Sequence, residues 1–330
     1  MTLAVLTFVD RVMRELTLDY FVTGAMARDI LLYNVFGFDT GLGTLDVDLA
    51  IALDSWPQFD GVKARLVETG AFTPDSGKTH RLFYRGGAGQ KGYPLDLLPF
   101  GGVEQGPNKI AWPPDFSVVM NVAGYREALA ASQEVEVRPG LVVRVASLPG
   151  LAILKLFAWA DRGAENPKDA LDLATLLRQY GAAGNETRLF GDEIGLLEAL
   201  GYDLDLAGAR LLGKDAARVT TPATRDQVVA RLDDAMRLHR LLSDMARTFR
   251  GAARPATPLA SSLPVGAGAT ASGEGHPRTA ARSRALGGGA AVGSSGRERR
   301  AHSRASYRQR ASRATESARP SCRRAPPLFA

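Results

Sequence analysis

Two carboxylates at alternate positions of a short apolar segment are the residues of this sequence with the most chemistry to offer. In Thr44-Leu45-Asp46-Val47-Asp48-Leu49-Ala50-Ile51, strand alternation puts Leu45, Val47, Leu49 and Ile51 on one face and Thr44, Asp46 and Asp48 on the other. Strands disfavour aspartate, and two carboxylates about 7 Å apart on one face repel each other. A divalent cation turns that repulsion into coordination, because Mg²⁺ takes a few carboxylates together with substrate phosphates. The competing reading of an isolated Asp-x-Asp is the wetted side of an edge strand. Two other segments bear on the choice. Pro94-Leu95-Asp96-Leu97-Leu98-Pro99 sets one acid inside an apolar strand, where a carboxylate needs a partner, a metal or backbone donors. Phe21-Val22-Thr23-Gly24-Ala25 joins a strand to a helix; Gly24 lets a ligand approach the backbone, and the helix N-terminus suits an anion.

A second group lies further along. The stretch 151–162 is apolar nearly all round and reads as buried, so Lys155 inside it needs an anion or a route to solvent. Arg162 follows seven residues later, two turns along the same face. Next comes Asn166-Pro167-Lys168-Asp169-Ala170-Leu171-Asp172, in which Asn166 and Pro167 suit a helix start and Asp169 would complement the helix dipole. Lys78, His80, Arg81 and Arg85 precede or occupy the hairpin and could meet phosphates, although such a set is more often a solvated strand face. The glycine-rich 86–92 has no Gly-Lys-Ser/Thr ahead of a helix, so it is a flexible turn and not a P-loop. The single cysteine, Cys322, excludes a disulfide framework and a cysteine metal cluster, and four scattered histidines argue against zinc.

Periodicity supplies the elements that must hold these residues. Helical spacing runs over 3–16 and 25–36, with a short strand at 20–22 between them and a glycine-containing loop at 37–43. A strand at 45–53, a helix at 58–68, a hairpin formed by 81–85 and 93–99, and a strand pair at 135–138 and 141–145 complete an α/β half. From residue 148 the pattern is helical only, over 151–162, 167–180, 192–200, 205–212 and 225–250. The expected organisation is an α/β (α+β) domain at 1–147 with a mixed sheet flanked by helices, a helical domain at 148–250, and a tail at 251–330.

Charge divides at the same place. Residues 251–330 hold 14 arginines, no lysine and three glutamates, whereas the preceding 250 residues carry 27 Lys and Arg against 32 Asp and Glu. The net +6 therefore belongs to the tail, and the body is mildly acidic. Rich in Arg, Ala, Ser and Gly, the tail cannot bury enough apolar surface to offset its ordering entropy, and it is expected to be disordered. An arginine-rich arm for nucleic acid and a dispensable extension are both compatible with that composition. No apolar run reaches the ~18 residues of a membrane span, and the first 14 residues lack a basic n-region. The expectation is a cytoplasmic protein without membrane contact.

The Gly24-Ala25 turn, the Asp46/Asp48 pair and Asp96 on a further strand together resemble the DNA polymerase β-like nucleotidyltransferase superfamily. There a Gly-Gly or Gly-Ser turn, an Asp-x-Asp and a third Asp occur in that order; Ala25 departs from the usual second residue. Lys155, Arg162 and the Lys168-Asp169-x-x-Asp172 segment bring the likeness closer to AbiEii/AbiGii-type toxin nucleotidyltransferases, over roughly residues 15–180. The resemblance implies an NTP-dependent, pyrophosphate-releasing enzyme with two Mg²⁺ ions on Asp46, Asp48 and Asp96. Lys155 would be catalytic, and Gly24, Ala25, Thr44, Arg162 and Asp169 would serve nucleotide binding. It also implies an RNA acceptor, plausibly a tRNA end, and a cognate antitoxin. The alternatives are a transferase acting on a small molecule or protein, and a non-catalytic nucleotide- or partner-binding module.

Overall fold

A computed structural model describes residues 1–38, 44, 46–86 and 92–252, the last five as backbone only. The loop expected after residue 38, the start of the central strand at Leu45, most of the glycine-rich turn at 86–92 and the tail beyond 252 lie outside the described residues.

Helix α1 (Thr2–Glu15) buries Val5, Leu6, Val9, Val12 and Met13, the face that its spacing marks. Strand β1 (Tyr20–Thr23) runs into α2 (Gly24–Arg28), which passes without a break into a π-helical segment, Asp29–Val35. The expected single α-helix over 25–36 is thus α-helical only in its first part. Then come β2 (Val47–Leu53), α3 (Trp56–Glu68), β3 (Phe72–Pro74), β4 (Arg81–Tyr84), β5 (Tyr93–Gly101), β6 (Lys109–Ala111), β7 (Val119–Asn121), α4 (Tyr125–Ala130), β8 (Gln133–Arg138) and β9 (Leu141–Val145). Strands β3, β6 and β7 are three residues each and carry too little alternation to be read from sequence.

Among the described residues one sheet has seven strands in the order β3-β4-β5-β2-β1-β9-β8. The pairs β2–β5 and β1–β9 are parallel and the rest antiparallel, so the sheet is mixed, as expected. β6 and β7 form a separate hairpin.

The chain is helical from α5 (Leu148–Arg162) through α6 (Lys168–Gln179), α7 (Glu186–Leu189), α8 (Ile194–Ala199), α9 (Leu204–Val219), α10 (Pro222–Asp233) and α11 (Ala235–Ala252). α5 starts where Ser147 Oγ accepts from the Gly150 amide at 3.4 Å. The single helix expected over 225–250 is broken at Asp234, which is extended and whose Oδ1 accepts from the amides of Met236 and Arg237 at 3.0 and 3.1 Å. Asp234 is thereby the N-cap of a new helix. The helix expected over 205–212 runs on to Val219. One continuous core joins Phe21, Leu49, Ile51 and Leu97 of the sheet to Leu151, Leu154, Leu176 and Leu211 of the helices. The helical half therefore shares one core with the strands that carry the acids.

Candidate active site

Strand register brings the three acids together. Asp48 in β2 stands level with Asp96 in parallel β5 and opposite Thr23 in β1, and Asp46 immediately precedes β2. One ligand oxygen from each of Asp46, Asp48 and Asp96 lies within 4.8 Å of the other two. The polar face predicted for the Asp-x-Asp strand therefore meets the lone acid of the neighbouring strand, and hard oxygen donors so placed suit Mg²⁺.

Gly24 opens α2 beside them in a left-handed conformation, φ +66°. A Cβ there would come within 1.8 Å of Asp48 Oδ2. Glycine is thus needed for the turn and for the seat of this carboxylate. Burial first, and then the charge of Asp46, push the Asp48 carboxyl up to about 7, against the pull of Lys155 and Arg162. Burial thus favours the protonated form of this acid, and the neighbouring Asp46 charge adds to that. Near Asp48, Tyr125 packs on Phe100 and Phe21, and burial raises its phenol above the ordinary value.

Asp96 is answered differently. Arg81, directly opposite it in β4, donates from Nε to Oδ1 and from Nη2 to Oδ2, each at 2.6 Å. His80 Nε2 is 4.0 Å from Asp96 Oδ2, and its ring lies 5.3 Å from that of Trp112. Sequence reasoning set Arg81 and His80 aside as a solvated face, and the structure brings both to the site. Hairpin register was the signal for Arg81, because pairing Tyr84 with Tyr93 puts Arg81 opposite Asp96.

The second predicted group forms a buried ionic chain alongside. Lys155 Nζ donates to Asp169 Oδ1 at 3.0 Å and lies 2.5 Å from Asp172 Oδ2. Arg162 Nε and Nη2 reach Asp169 at 2.8 and 3.2 Å, and Arg28 reaches both Asp172 and Asp29. Asp29 accepts in turn from the Thr44 hydroxyl. Burial works against the Lys155 ammonium, but Asp172 and Asp169 outweigh it and its pKa is raised. Burial likewise opposes ionisation of Asp169, yet the Arg162 hydrogen bonds and the Lys155 charge prevail and lower it. Lys155 and Arg162 do share a face, as their spacing predicts, and they meet on Asp169. Arg28, buried in α2, has no distinguishing sequence pattern and was missed. The chain ties α2 to α5 and α6, and with them the turn at Gly24 to the helical half.

With the geometry in hand, the sequence profile of the family described as "Nucleotidyl transferase AbiEii toxin, Type IV TA system" matches residues 44–252. The chain belongs to this family. It is therefore a nucleotidyltransferase, and membership implies a nucleotide substrate and a cognate antitoxin. The match spans all three acids and the Lys155–Asp172 segment; the Gly24-Ala25 turn, on which the resemblance also rested, precedes it. No curated protein sequence matches the chain. Among solved structures it is similar to the crystal structure of ANT(2")-Ia in complex with adenylyl-2"-tobramycin, at 16% identity over 65% of this chain and 99% of that one, TM-score 0.33. It is also similar to the solution structure of the antibiotic-resistance factor ANT(2'')-Ia, at 15% identity over 66% of this chain and 96% of that one, TM-score 0.32.

Proposed function

We propose that this AbiEii-family nucleotidyltransferase uses Mg²⁺ held by Asp46, Asp48 and Asp96 to transfer a nucleoside monophosphate from an NTP to a hydroxyl of RNA, at a tRNA end. The observation that carries the reading is the convergence of three carboxylates within 4.8 Å beside Gly24, where a side chain would be strained by the left-handed backbone and would press on Asp48. In the transfer, the acceptor hydroxyl gives up its proton to water as its oxygen attacks the α-phosphorus, the bond from the α-phosphorus to the bridging oxygen breaks, and pyrophosphate leaves. What two bound ions supply is neutralisation of the triphosphate and a lowered pKa at the acceptor hydroxyl.

This chain's own residues do the rest. The α/β half, 1–147, carries the acids, and the helical half, 148–250, supplies the cationic wall. Gly24 and Ala25 at the start of α2 offer amides to phosphate, with Thr44 nearby. Arg162, whose side chain is 59% exposed, can reach an anion while still gripping Asp169. Asp169 serves nucleotide binding by orienting Lys155 and Arg162, and Lys155 contributes its charge to the site from within the ionic chain. Positioning and charge supply most of the rate in such transfers. We place the activity in the cytoplasm, restrained by the antitoxin; among the described residues no helix is long and apolar enough to cross a membrane.

The test is incubation of the purified protein with total RNA and each α-labelled NTP, with Mg²⁺ or with EDTA. Label should enter RNA only with Mg²⁺ and be lost in Asp46→Asn. Label in a small molecule or protein instead would move the acceptor to that class. Nucleotide binding without any incorporation would leave a non-catalytic module.

A further inference from the structure

We infer that Arg81 is a positioning residue that competes with a divalent cation for Asp96, serving as the resident counter-charge of the three-acid site. The inference rests on the metal-binding reading of Asp46, Asp48 and Asp96 given above. Arg81 takes both oxygens of Asp96 in a two-pronged bond, 2.6 Å on each side. Its guanidinium stays charged at any working pH, so it cannot leave by losing a proton. The pair is poorly exposed, with side chains 19% and 11% accessible, so solvent screens it little. On another side Asp96 faces His80, whose ring is tilted 45° to that of Trp112 at 5.3 Å, so that approach is bordered by rings.

A cation shared by Asp96 and the Asp46/Asp48 pair must therefore form within a few ångströms of a fixed positive charge. It must either displace one prong of the fork or bind against that charge. Arg81 thus has two effects of opposite sign. It orients the carboxylate and relieves repulsion among the acids, and it weakens metal binding until a triphosphate brings compensating negative charge. A simple structural brace would have only the first effect, and its loss would weaken metal binding.

The experiment is Mn²⁺ titration by calorimetry, without nucleotide, of wild type, Arg81→Met, Arg81→Lys and Asp96→Asn. Arg81→Met keeps the apolar stem and should bind Mn²⁺ about tenfold more tightly than wild type. Arg81→Lys, which keeps the charge and loses the fork, should fall between the two and stands in if the Met variant does not fold. Adding a non-hydrolysable NTP should shrink the difference between wild type and Arg81→Met. Equal or weaker Mn²⁺ binding in the Arg81 variants, while Asp96→Asn still abolishes binding, would overturn the counter-charge role and leave the three-acid site standing. Mn²⁺ binding unaffected by Asp96→Asn would instead remove the three-acid site, and the competition with it.

Discussion

Burial of Asp48, followed by the adjacent charge of Asp46, raises its carboxyl from the ordinary 3.8 to about 7. An acid whose pKa is raised by folding stabilises the fold at low pH, and that contribution is lost as pH climbs from about 4 through about 7. Ligation needs the carboxylate, so the same titration works in the opposite direction on metal affinity. Mn²⁺ should bind more tightly as pH rises from 5.5 to 8 (chosen to bracket the group), releasing a proton at the acid end. Calorimetry in two buffers of different ionisation enthalpy reads that proton, and binding that is flat with pH would show that Asp48 is ionised throughout. Asp48→Asn should abolish transfer and raise the melting temperature in EDTA at pH 8, because it removes a carboxylate held against its neighbours. Gly24→Ala should destabilise the fold by more than the ~1–2 kcal/mol of a left-handed non-glycine residue, since its methyl also meets Asp48. Urea unfolding checks it; wild-type stability would show that this turn relaxes without cost.

At the scale of elements, the joint between α2, α5 and α6 is ionic at its centre. Lys155 bridges two acids, Asp169 and Asp172, each of which keeps another cation, Arg162 or Arg28. Removing one member of a buried ionic group leaves uncompensated charge, so Lys155→Met should cost about 3 kcal/mol in urea unfolding. The urea midpoint of that variant measures the joint, and its NTP affinity measures the site. A lost midpoint with unchanged NTP affinity would make Lys155 a structural residue. The acids Asp46 and Asp48 were legible as a pair because strand alternation is local, and Asp96 because a charge in an apolar run stands out. The partners of Lys155 were less legible, since Asp169 reads equally well as an acid that complements a helix dipole. Arg28 was not legible, because its buried partner Asp172 lies 144 residues away in the sequence.

The whole molecule divides by charge between an acidic body and an arginine-rich remainder. Truncation after Ala252 should leave the melting temperature of the body nearly unchanged, because the buried core already closes within the preceding helices. If the remainder serves RNA, the same truncation should flatten the salt dependence of RNA binding by about one counterion per lost phosphate contact. A large fall in melting temperature would instead show that residues beyond 252 complete the core. The acidic body makes this a real test, since the average field around the site does not favour a polyanion without local help.

The order of the longer elements, the helical second half and the three candidate acids were determined by the sequence alone, because each rests on periodicity or on a charge out of place within a dozen residues. The tertiary structure decided what each of these residues faces. Only the parallel pairing of β2 with β5 sets Asp48 level with Asp96, and that pairing joins strands more than forty residues apart. Only the packing of α5 against α2 and α6 turns Lys155 from an unexplained buried cation into the centre of an ionic chain. The break at Asp234 lies between these cases: the capping residue is visible in sequence, but helical periodicity on both sides hides it until the backbone shows which of the two prevailed. Local patterns select elements and residue types, whereas burial and partner charge depend on contacts that no short window contains.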